Sequence, residues 1–260
     1  MTARRLKLGQ LAIDHVTFAE ALLAITELVR GRRGGMVFTP NVDHVVMADE
    51  HTGFRRAYAA ADLSLADGMP VVWASRALGL PLPEKISGSD LVSPLMQLAE
   101  AEGFRVYLLG GADGVAQRAA LNLQRMHPRL VIAGTASPQI DLREPASQRR
   151  GIIDAIHAAA PDLVLVALGA PKQELWIHES AEALRPAVLL GVGASIDFLA
   201  GTARRAPSWI SAAGLEWLYR LAHEPRRLWR RYLVQDPKFL GIIVGEWRAQ
   251  RARRGVELSS

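Results

Sequence analysis

Short apolar segments alternate with amphipathic ones along most of this chain, and this alternation restricts the possible folds more than any other feature. Leu163 to Leu168 is a near-continuous apolar run, which is typical of a central strand in a parallel sheet. Further strands are predicted at Leu6 to Ile13, Met36 to Phe38, the segment before Asp67, Arg105 to Leu109, Leu130 to Ala133 and Ala187 to Val192. Parallel strands require long crossovers, usually helices. The pattern therefore predicts an α/β, Rossmann-like fold with a mostly parallel sheet flanked by helices.

Helices are predicted between these strands. Thr17-x-x-Glu20 is a capping box that opens the first of them. The others are predicted at Val42 to Ala60 with a break or kink at Gly53, at Pro70 to Leu78, from a cap at Ser89-Asp90, at Val115 to Met126 and at Ala146 to Ala160. Glu174 is predicted to cap the helix that follows Gly169, and Gly79 to Gly88 is a loop long enough to fold over a site.

The alternation stops near Trp209, and a basic segment follows. Residues 204–254 hold twelve Lys or Arg against four acids, a local balance of +8, which leaves the rest of the chain at about −3 of a formal total of +5. We therefore predict a catalytic core at 1–203 and a basic, amphipathic helical appendage at 204–260. Interleaved Trp, Tyr and Arg suit a membrane interface, and ordinary core packing is the other interpretation. The charge alone suits anionic lipid, a phosphorylated substrate or nucleic acid.

Composition excludes several kinds of protein. The sequence has no cysteine, which excludes disulfides, thiolate catalysis and Cys-ligated metals. The longest apolar stretches, Leu163 to Ala170 and Ala187 to Ala194, fall short of the roughly 18 residues of a membrane span. The basic segment Met1 to Gln10 is not followed by the apolar region of a signal peptide. We therefore expect a cytoplasmic protein.

Polar side chains follow several of the predicted strands. Asp67 ends one strand, Thr39 and Asn41 follow another, and Gln173 follows the Leu163 strand. The carboxyl ends of parallel strands meet at one sheet edge, where ligands bind in open α/β sheets. A carboxylate at that edge can act as a base, so Asp67 is the candidate catalytic residue. The other interpretation of Asp67-Gly68 is an ordinary turn in which the carboxylate accepts local hydrogen bonds.

The polar sheet edge, with its glycine turn, and the basic appendage together suit a substrate with a diphosphate. The Gly110-Gly111 turn lies between a strand and a helix, where backbone N–H groups could approach a phosphate, although its spacing departs from G-x-G-x-x-G. The pair Asp-x-Asp, which often holds Mg²⁺ or Mn²⁺ on a diphosphate, is absent from the chain. We therefore expect no metal and no cofactor. Arginines of the appendage would neutralise the diphosphate instead, because guanidinium groups match phosphate oxygens.

Across residues 6 to 240 the chain resembles the WecG/TagA/CpsF family of bacterial glycosyltransferases. The motifs that carry the resemblance are Thr39-Pro40-Asn41, Asp67-Gly68, Gly88-Ser89-Asp90, Gly169-x-Pro171-Lys172-Gln173-Glu174, Gly191-Val192-Gly193-Ala194, Arg205-Ala206-Pro207, Gly214 to Leu221, and Glu224-Pro225-x-Arg227-Leu228-x-Arg230-Arg231-Tyr232. Lys85 stands where members often carry arginine, and Ile196 where an aromatic residue is common.

The resemblance implies that the protein transfers a sugar, often of the N-acetylmannosamine type, from a UDP donor to a polyprenyl-diphosphate-linked acceptor at the inner membrane face, with inversion. Asp67 would be the general base, with Thr39 beside it in the catalytic set. Asn41 and Gln173 would help to hold the sugars. Arg220, Arg227 and Arg230 match the appendage arginines that close over the diphosphate in this family.

Two other classes of function remain open on the sequence. A nicotinamide-dependent oxidoreductase would use the Gly110 turn, but Ala133-Gly134-Thr135 offers no acid for the ribose. A non-enzymatic adaptor for membrane or nucleic acid would explain the appendage and leave the polar sheet edge without a role. We expect an anionic membrane surface, not nucleic acid, as the partner. The sequence leaves the oligomeric state open, a homo-oligomer included.

Overall fold

The structure of the chain, a computed structural model, describes residues 4–142, 146–212 and 214–257. The strands are β1 Arg5–Leu8, β2 Leu11–Asp14, β3 Gly35–Phe38, β4 Leu63–Ser64, β5 Arg105–Gly110, β6 Val131–Ala136, β7 Leu163–Ala167 and β8 Val188–Gly191. The helices are α1 Phe18–Arg30, α2 Val42–Glu50, α3 Thr52–Ala59, α4 Met69–Ala77, α5 Gly88–Glu102, α6 Val115–Met126, α7 Ala146–Ala159, α8 Lys172–Ser180, α9 Ser195–Ala200, α10 Ser208–Ala212, α11 Glu216–His223, α12 Pro225–Arg230 and α13 Lys238–Glu257. A π-helical turn, Arg231–Gln235, joins α12 to α13.

Six strands form a parallel sheet in the order β4-β3-β8-β7-β5-β6, which confirms the predicted α/β fold. Helices cover both faces, so the central strands β5, β7 and β8 bury both sets of side chains, while the edge strand β6 stays partly exposed. On β7, Val164 and Val166 belong to the core on one face, and Leu163 and Leu165 to the core on the other. All six strands point the same way. Their carboxyl ends therefore lie along one edge, as the sequence predicted.

The predicted first strand, Leu6 to Ile13, is wrong as a single element. It is an antiparallel hairpin of β1 and β2, because Gly9 takes a φ of +59° and turns the chain. Asp14 attaches this hairpin to β4, since its Oδ2 accepts a 2.8 Å bond from the Ser64 backbone N–H. Arg5 pairs with the other oxygen of Asp14 at 2.8 Å. The hairpin thus packs beside β4, an edge strand of only two residues.

Three predicted details of the helices also differ. The predicted helix Val42 to Ala60 breaks at His51 rather than at Gly53, because the His51 ring accepts the Phe54 N–H and begins α3. The cap of α5 is Ser87, whose hydroxyl accepts the Asp90 N–H at 3.1 Å. Among the described residues no side chain caps the start of α8, so the predicted capping role of Glu174 is wrong.

After β8 the described chain is helical except for short connections, from α9 to α13. Gly214 lies against α4, where an added Cβ would approach Trp73 to 2.6 Å. Ile242 on α13 lies near Gly9 of the hairpin turn. Within the described ranges, no helix combines the length and the apolar character needed to cross a bilayer. The division into a core and a separate appendage stays a prediction.

Candidate active site

Two neighbouring strands bring Thr39, Asn41 and Asp67 together at the carboxyl edge of the sheet. Asp67 follows β4 and its backbone N–H donates to the carbonyl of Pro40 at 2.9 Å, which ties the two strand ends to each other. Thr39 is buried, with its hydroxyl 3.4 Å from the carbonyl oxygen of Gly191 on β8. Asn41 caps α2, since its Oδ1 accepts the His44 N–H at 3.3 Å. Sheet topology therefore places these side chains around one point.

Asp67 has the electrostatic character of a base. Gly68, at a φ of +96°, turns the chain from Asp67 into α4. Burial raises the pKa of Asp67 to about 7, and the negative charge of Glu216 acts in the same direction. Lys85 and Arg220 lower this pKa in part. A carboxyl group with a pKa near neutrality can take and return a proton under physiological conditions.

Gln173 is fixed within the same edge. Its Oε1 accepts the Gly193 N–H at 3.0 Å, and its Nε2 donates to Glu174 Oε1 at 2.9 Å. Gly191 makes room for this side chain, because a Cβ there would lie 2.5 Å from Nε2. Glu174 is buried, and burial raises its pKa to about 7. The geometry gives Glu174 the role of holding Gln173 rather than of capping α8.

Gly110 and Gly111 follow β5. Gly110 has a φ of +116° and packs so closely on β7 that a Cβ would lie 2.2 Å from the carbonyl oxygen of Ala167. Gly111 lines the cavity at the sheet edge. Gly110 thus has a packing role, and its phosphate contact stays a prediction. Of the two glycines, Gly111 is the one that lines the cavity.

Two cavities meet at Asp67. The larger, about 750 Å³, is the polar chamber; it is walled by the strand-end loops, including Thr39, Gly111, Lys172, Gln173, Gly193 and Asp197. The smaller, about 320 Å³, is the apolar chamber, whose apolar wall contains Met69, Pro70, Trp217, Tyr232, Phe239 and Leu240. Both cavities are lined by Asn41, Asp43, Asp67, Glu216, Arg220 and Arg231. The two chambers therefore share one wall, which contains Asp67.

The predicted appendage arginines occupy different environments. Arg220 on α11 is half-buried and lines both chambers. Arg230 at the end of α12 is exposed and is not among the described residues that line either chamber. Arg227 lies on α12, but its side chain is outside the described part of the structure. Of the two arginines whose side chains are described, Arg220 is the one that lines the chambers with Asp67.

A chain of polar contacts links the loop after α4 to α11. The Lys85 ammonium pairs with Asp90 at 2.8 Å and donates to the Ser211 hydroxyl at 3.1 Å. That hydroxyl donates in turn to Glu216 Oε2 at 2.8 Å. Arg205 forms an ion pair with Asp90 as well. These contacts fix Glu216, and through it the electrostatic surroundings of Asp67.

Sequence reasoning did not single out Glu216, Asp43 or Arg231 as site residues. Arg231 is the second arginine of the Arg230-Arg231-Tyr232 motif, and the sequence predicted a diphosphate contact for Arg230. Glu216 lies within the Gly214 to Leu221 motif but was assigned no role there, and Asp43 belongs to none of the quoted motifs. They reach the site because α11 and α2 pack around its mouth, which depends on tertiary contacts.

Comparison with known proteins gives consistent matches. Residues 6–253 match the Glycosyl transferase WecG/TagA/CpsF family. The chain is 34% identical over 217 residues to an N-acetylglucosaminyldiphosphoundecaprenol N-acetyl-beta-D-mannosaminyltransferase of Bacillus spizizenii, which covers 84% of this chain and 81% of the relative. It is 31% identical over 213 residues to the protein of the same name from Bacillus subtilis, with 82% and 80% covered.

Proposed function

We propose an inverting sugar transfer from a UDP-sugar to a polyprenyl-diphosphate-linked acceptor for this chain, which belongs to the WecG/TagA/CpsF family and is a glycosyltransferase. The relatives' names specify an N-acetyl-beta-D-mannosaminyl group and an N-acetylglucosaminyldiphosphoundecaprenol acceptor. The donor we propose is accordingly a UDP-hexosamine of the N-acetylmannosamine type, used in the synthesis of a cell-surface polysaccharide. The oxidoreductase and adaptor interpretations are set aside with the family assignment.

The observation that carries the proposal is the position of Asp67 on the wall shared by two chambers of different character. The polar chamber suits the hydroxyl, phosphate and base groups of a UDP-sugar. The apolar chamber suits the first isoprene units of the acceptor lipid. In the proposed step the Asp67 carboxylate takes the proton of an acceptor hydroxyl, whose oxygen attacks the anomeric carbon. The bond from that carbon to the diphosphate breaks, and UDP leaves with the bonding electrons.

The apolar chamber is continuous with exposed apolar side chains on the C-terminal helices. Trp217 and Leu240 line the chamber and are also exposed, Leu240 at 68%. Other exposed apolar side chains in this C-terminal segment are Trp209, Leu215, Leu218, Trp229, Leu233, Val234, Val244 and Trp247. Large apolar side chains among arginines favour the headgroup boundary of a membrane. We propose that this surface docks on the inner face of the cell membrane, so that the acceptor's lipid can reach the chamber.

The test of the function is a transfer assay with the purified chain. A panel of UDP-sugars, UDP-N-acetylmannosamine included, is incubated with a short-chain polyprenyl-diphosphate N-acetylglucosamine. We expect a product one hexosamine heavier by mass spectrometry, with a β linkage by NMR. Failure to transfer from every UDP-sugar, with the protein folded and the acceptor used by a known relative, would contradict the proposal.

Metal chelation is expected to leave the transfer rate unchanged. We propose that the Arg220 guanidinium, which lines both chambers, neutralises the leaving diphosphate where other enzymes use a divalent cation. The assay is run with EDTA and then with added Mg²⁺ or Mn²⁺. A rate that disappears with chelator and returns with either ion would show that a metal stabilises the leaving group.

Membrane docking is expected to need anionic lipid and to weaken with salt. Each Lys or Arg near an anionic surface contributes about 1 kcal/mol, screened over a Debye length of ~8 Å at physiological ionic strength. Co-sedimentation with phosphatidylglycerol and phosphatidylcholine vesicles measures the binding. Trp209→Ser with Leu233→Ser should weaken it, since these side chains are 69% and 58% exposed.

The matched control for docking is Leu121→Ser with Met126→Ser on α6, whose side chains are 55% and 57% exposed. This pair removes comparable apolar surface away from the C-terminal helices. Equal losses of vesicle binding in the two double variants would argue against a specific docking surface.

A further inference from the structure

Arg231 contacts two side chains that lie at the start of α2. Its Nε is 3.2 Å from Asp43 Oδ2, and its Nη2 donates to Asn41 Oδ1 at 3.2 Å. Asp43 is nearly buried, with 9% of its side chain exposed, while 25% of the Arg231 side chain is exposed. Arg231 begins the π-helical turn, and such turns are often found at functional sites. It is therefore a defined link between the C-terminal helices and the sheet edge.

The charge of Arg231 is already matched by acids. Asp43 forms the ion pair, and Asp236, at the end of the π-helical turn, also acts on Arg231. Burial raises the pKa of Asp236 to about 6, and Arg231 works in the opposite direction. Burial likewise raises the pKa of Asp43, against the effect of Arg231. The Arg231 guanidinium is thus paired with the Asp43 carboxylate of the protein.

The contacts of Asn41 fix the orientation of its amide. Its Oδ1 accepts from the His44 backbone N–H and from Arg231 Nη2. Neither partner can accept a hydrogen bond, so the oxygen must face them and the amino group must face away. Asn41 lines both chambers. The side of Asn41 that remains for a substrate is therefore a pair of N–H donors.

We infer that Arg231 is a positioning residue, which holds Asn41 through its Oδ1 so that the Asn41 amino group donates to an oxygen of the UDP-sugar. This inference rests on the proposed function for its substrate. The ion pair with Asp43 fixes the position of the guanidinium. The hydrogen bond from Arg231 in turn fixes the Asn41 amide on the chamber wall. Arg231 acts through Asn41 and makes no diphosphate contact of its own.

The experiment compares Arg231→Ala and Arg231→Lys with Asn41→Asp and with one control. A lysine at 231 can keep an ion pair with Asp43, but it lacks the forked donors that reach Asn41 as well. An aspartate at 41 keeps both accepted bonds and presents oxygen instead of N–H to the chamber. The control, Lys238→Ala, breaks an exposed 2.6 Å ion pair between α13 and Glu50 of α2. It removes a cation that also joins these helices, away from both chambers.

We expect Arg231→Ala, Arg231→Lys and Asn41→Asp each to raise the KM for the UDP-sugar by about tenfold, as loss of a charge-assisted hydrogen bond would. Lys238→Ala should stay within about twofold. Adding Arg231→Lys to Asn41→Asp should add little, because the two changes remove the same interaction. An unchanged KM in Arg231→Lys, or fully additive effects in the double variant, would overturn the inference, since additivity means that Arg231 meets the substrate by itself.

A second readout needs no substrate. Hydrogen exchange of the ligand-free protein should show faster exchange at the start of α2 in Arg231→Ala than in Lys238→Ala. Equal protection in the two variants would overturn the inference. If the wild-type chain transfers no sugar, the proposed function fails, and hydrogen exchange alone decides whether Arg231 positions Asn41.

Discussion

Replacing Asp67 with asparagine is expected to lower the turnover number by about 10²- to 10⁴-fold, the range that a positioned general base contributes. Asparagine keeps the shape of the side chain but cannot take the proton of the acceptor hydroxyl. UDP affinity should change little, because the polar chamber keeps its other walls. Turnover is measured beside UDP binding by calorimetry, with Thr39→Ala expected to give a milder loss. Near-normal turnover in Asp67→Asn would show that Asp67 is not the general base.

The pH dependence tests the same residue. Burial raises the pKa of Asp67 to about 7, and the negative charge of Glu216 is the second largest cause of this rise. A base works when deprotonated, so the rate should rise with pH up to about 7 and then level off. Because the folded pKa lies above the ordinary value of 3.8, the contribution of Asp67 to stability is present at low pH and is lost as pH rises through 7. Asp67→Asn should therefore melt at the same or a higher temperature than the wild type at pH 8, with the difference shrinking toward pH 5. A large fall in melting temperature at pH 8 would show that the lost turnover reflects misfolding.

Replacing Arg220 with alanine is expected to lower the turnover number by about 10²- to 10³-fold, comparable to removal of one preorganised donor to a developing negative charge. Arg220 lines both chambers beside Asp67, where the proposed leaving diphosphate would form. Its charge also lowers the pKa of Asp67, so the rate profile of Arg220→Ala should move to higher pH. Turnover with a water-soluble acceptor analogue measures the effect apart from membrane docking.

Arg230→Ala is the matched control for this change. Arg230 is near Arg220 in sequence and lies on the next helix, α12. It is exposed, however, and is not among the described residues of either chamber wall. The sequence treated the two arginines alike, and the structure separates them. Arg230→Ala should leave turnover on the soluble analogue within about twofold. Equal losses of turnover in the two variants would show that both arginines act on the diphosphate.

The sheet edge could be predicted because its position follows from chain direction alone. Asp67, Thr39 and Gln173 each lie within a few residues of the carboxyl end of a strand, and parallel strands end at the same edge whatever their order. The hairpin turn at Gly9 was missed because one turn residue within an apolar segment gives little local signal. For that reason, β1 and β2 were predicted as one strand.

The shared wall between the chambers could not be predicted in full, because it depends on contacts between distant parts of the chain. Glu216 and Arg231 reach the wall only when α11 and the π-helical turn pack over the sheet edge. The contact of Arg231 with Asp43 spans more than half of the chain length in sequence. Such contacts depend on how the helices pack against each other. No periodic pattern in a single sequence indicates which distant residues will meet.

The two chambers are built from different stretches of polypeptide. Strand-end loops supply most of the polar chamber, and α4 with the segment from Ser211 to Leu240 supplies most of the apolar one. Under the proposed reaction, a substitution that changes the choice of sugar and one that changes the choice of lipid fall in separate parts of the gene. Selection can then alter donor and acceptor preference independently, while the few residues on the wall between them stay fixed. A recombinant that joins the strand-end loops of one relative to the C-terminal helices of another is, on this basis, a route to new pairings of sugar and lipid.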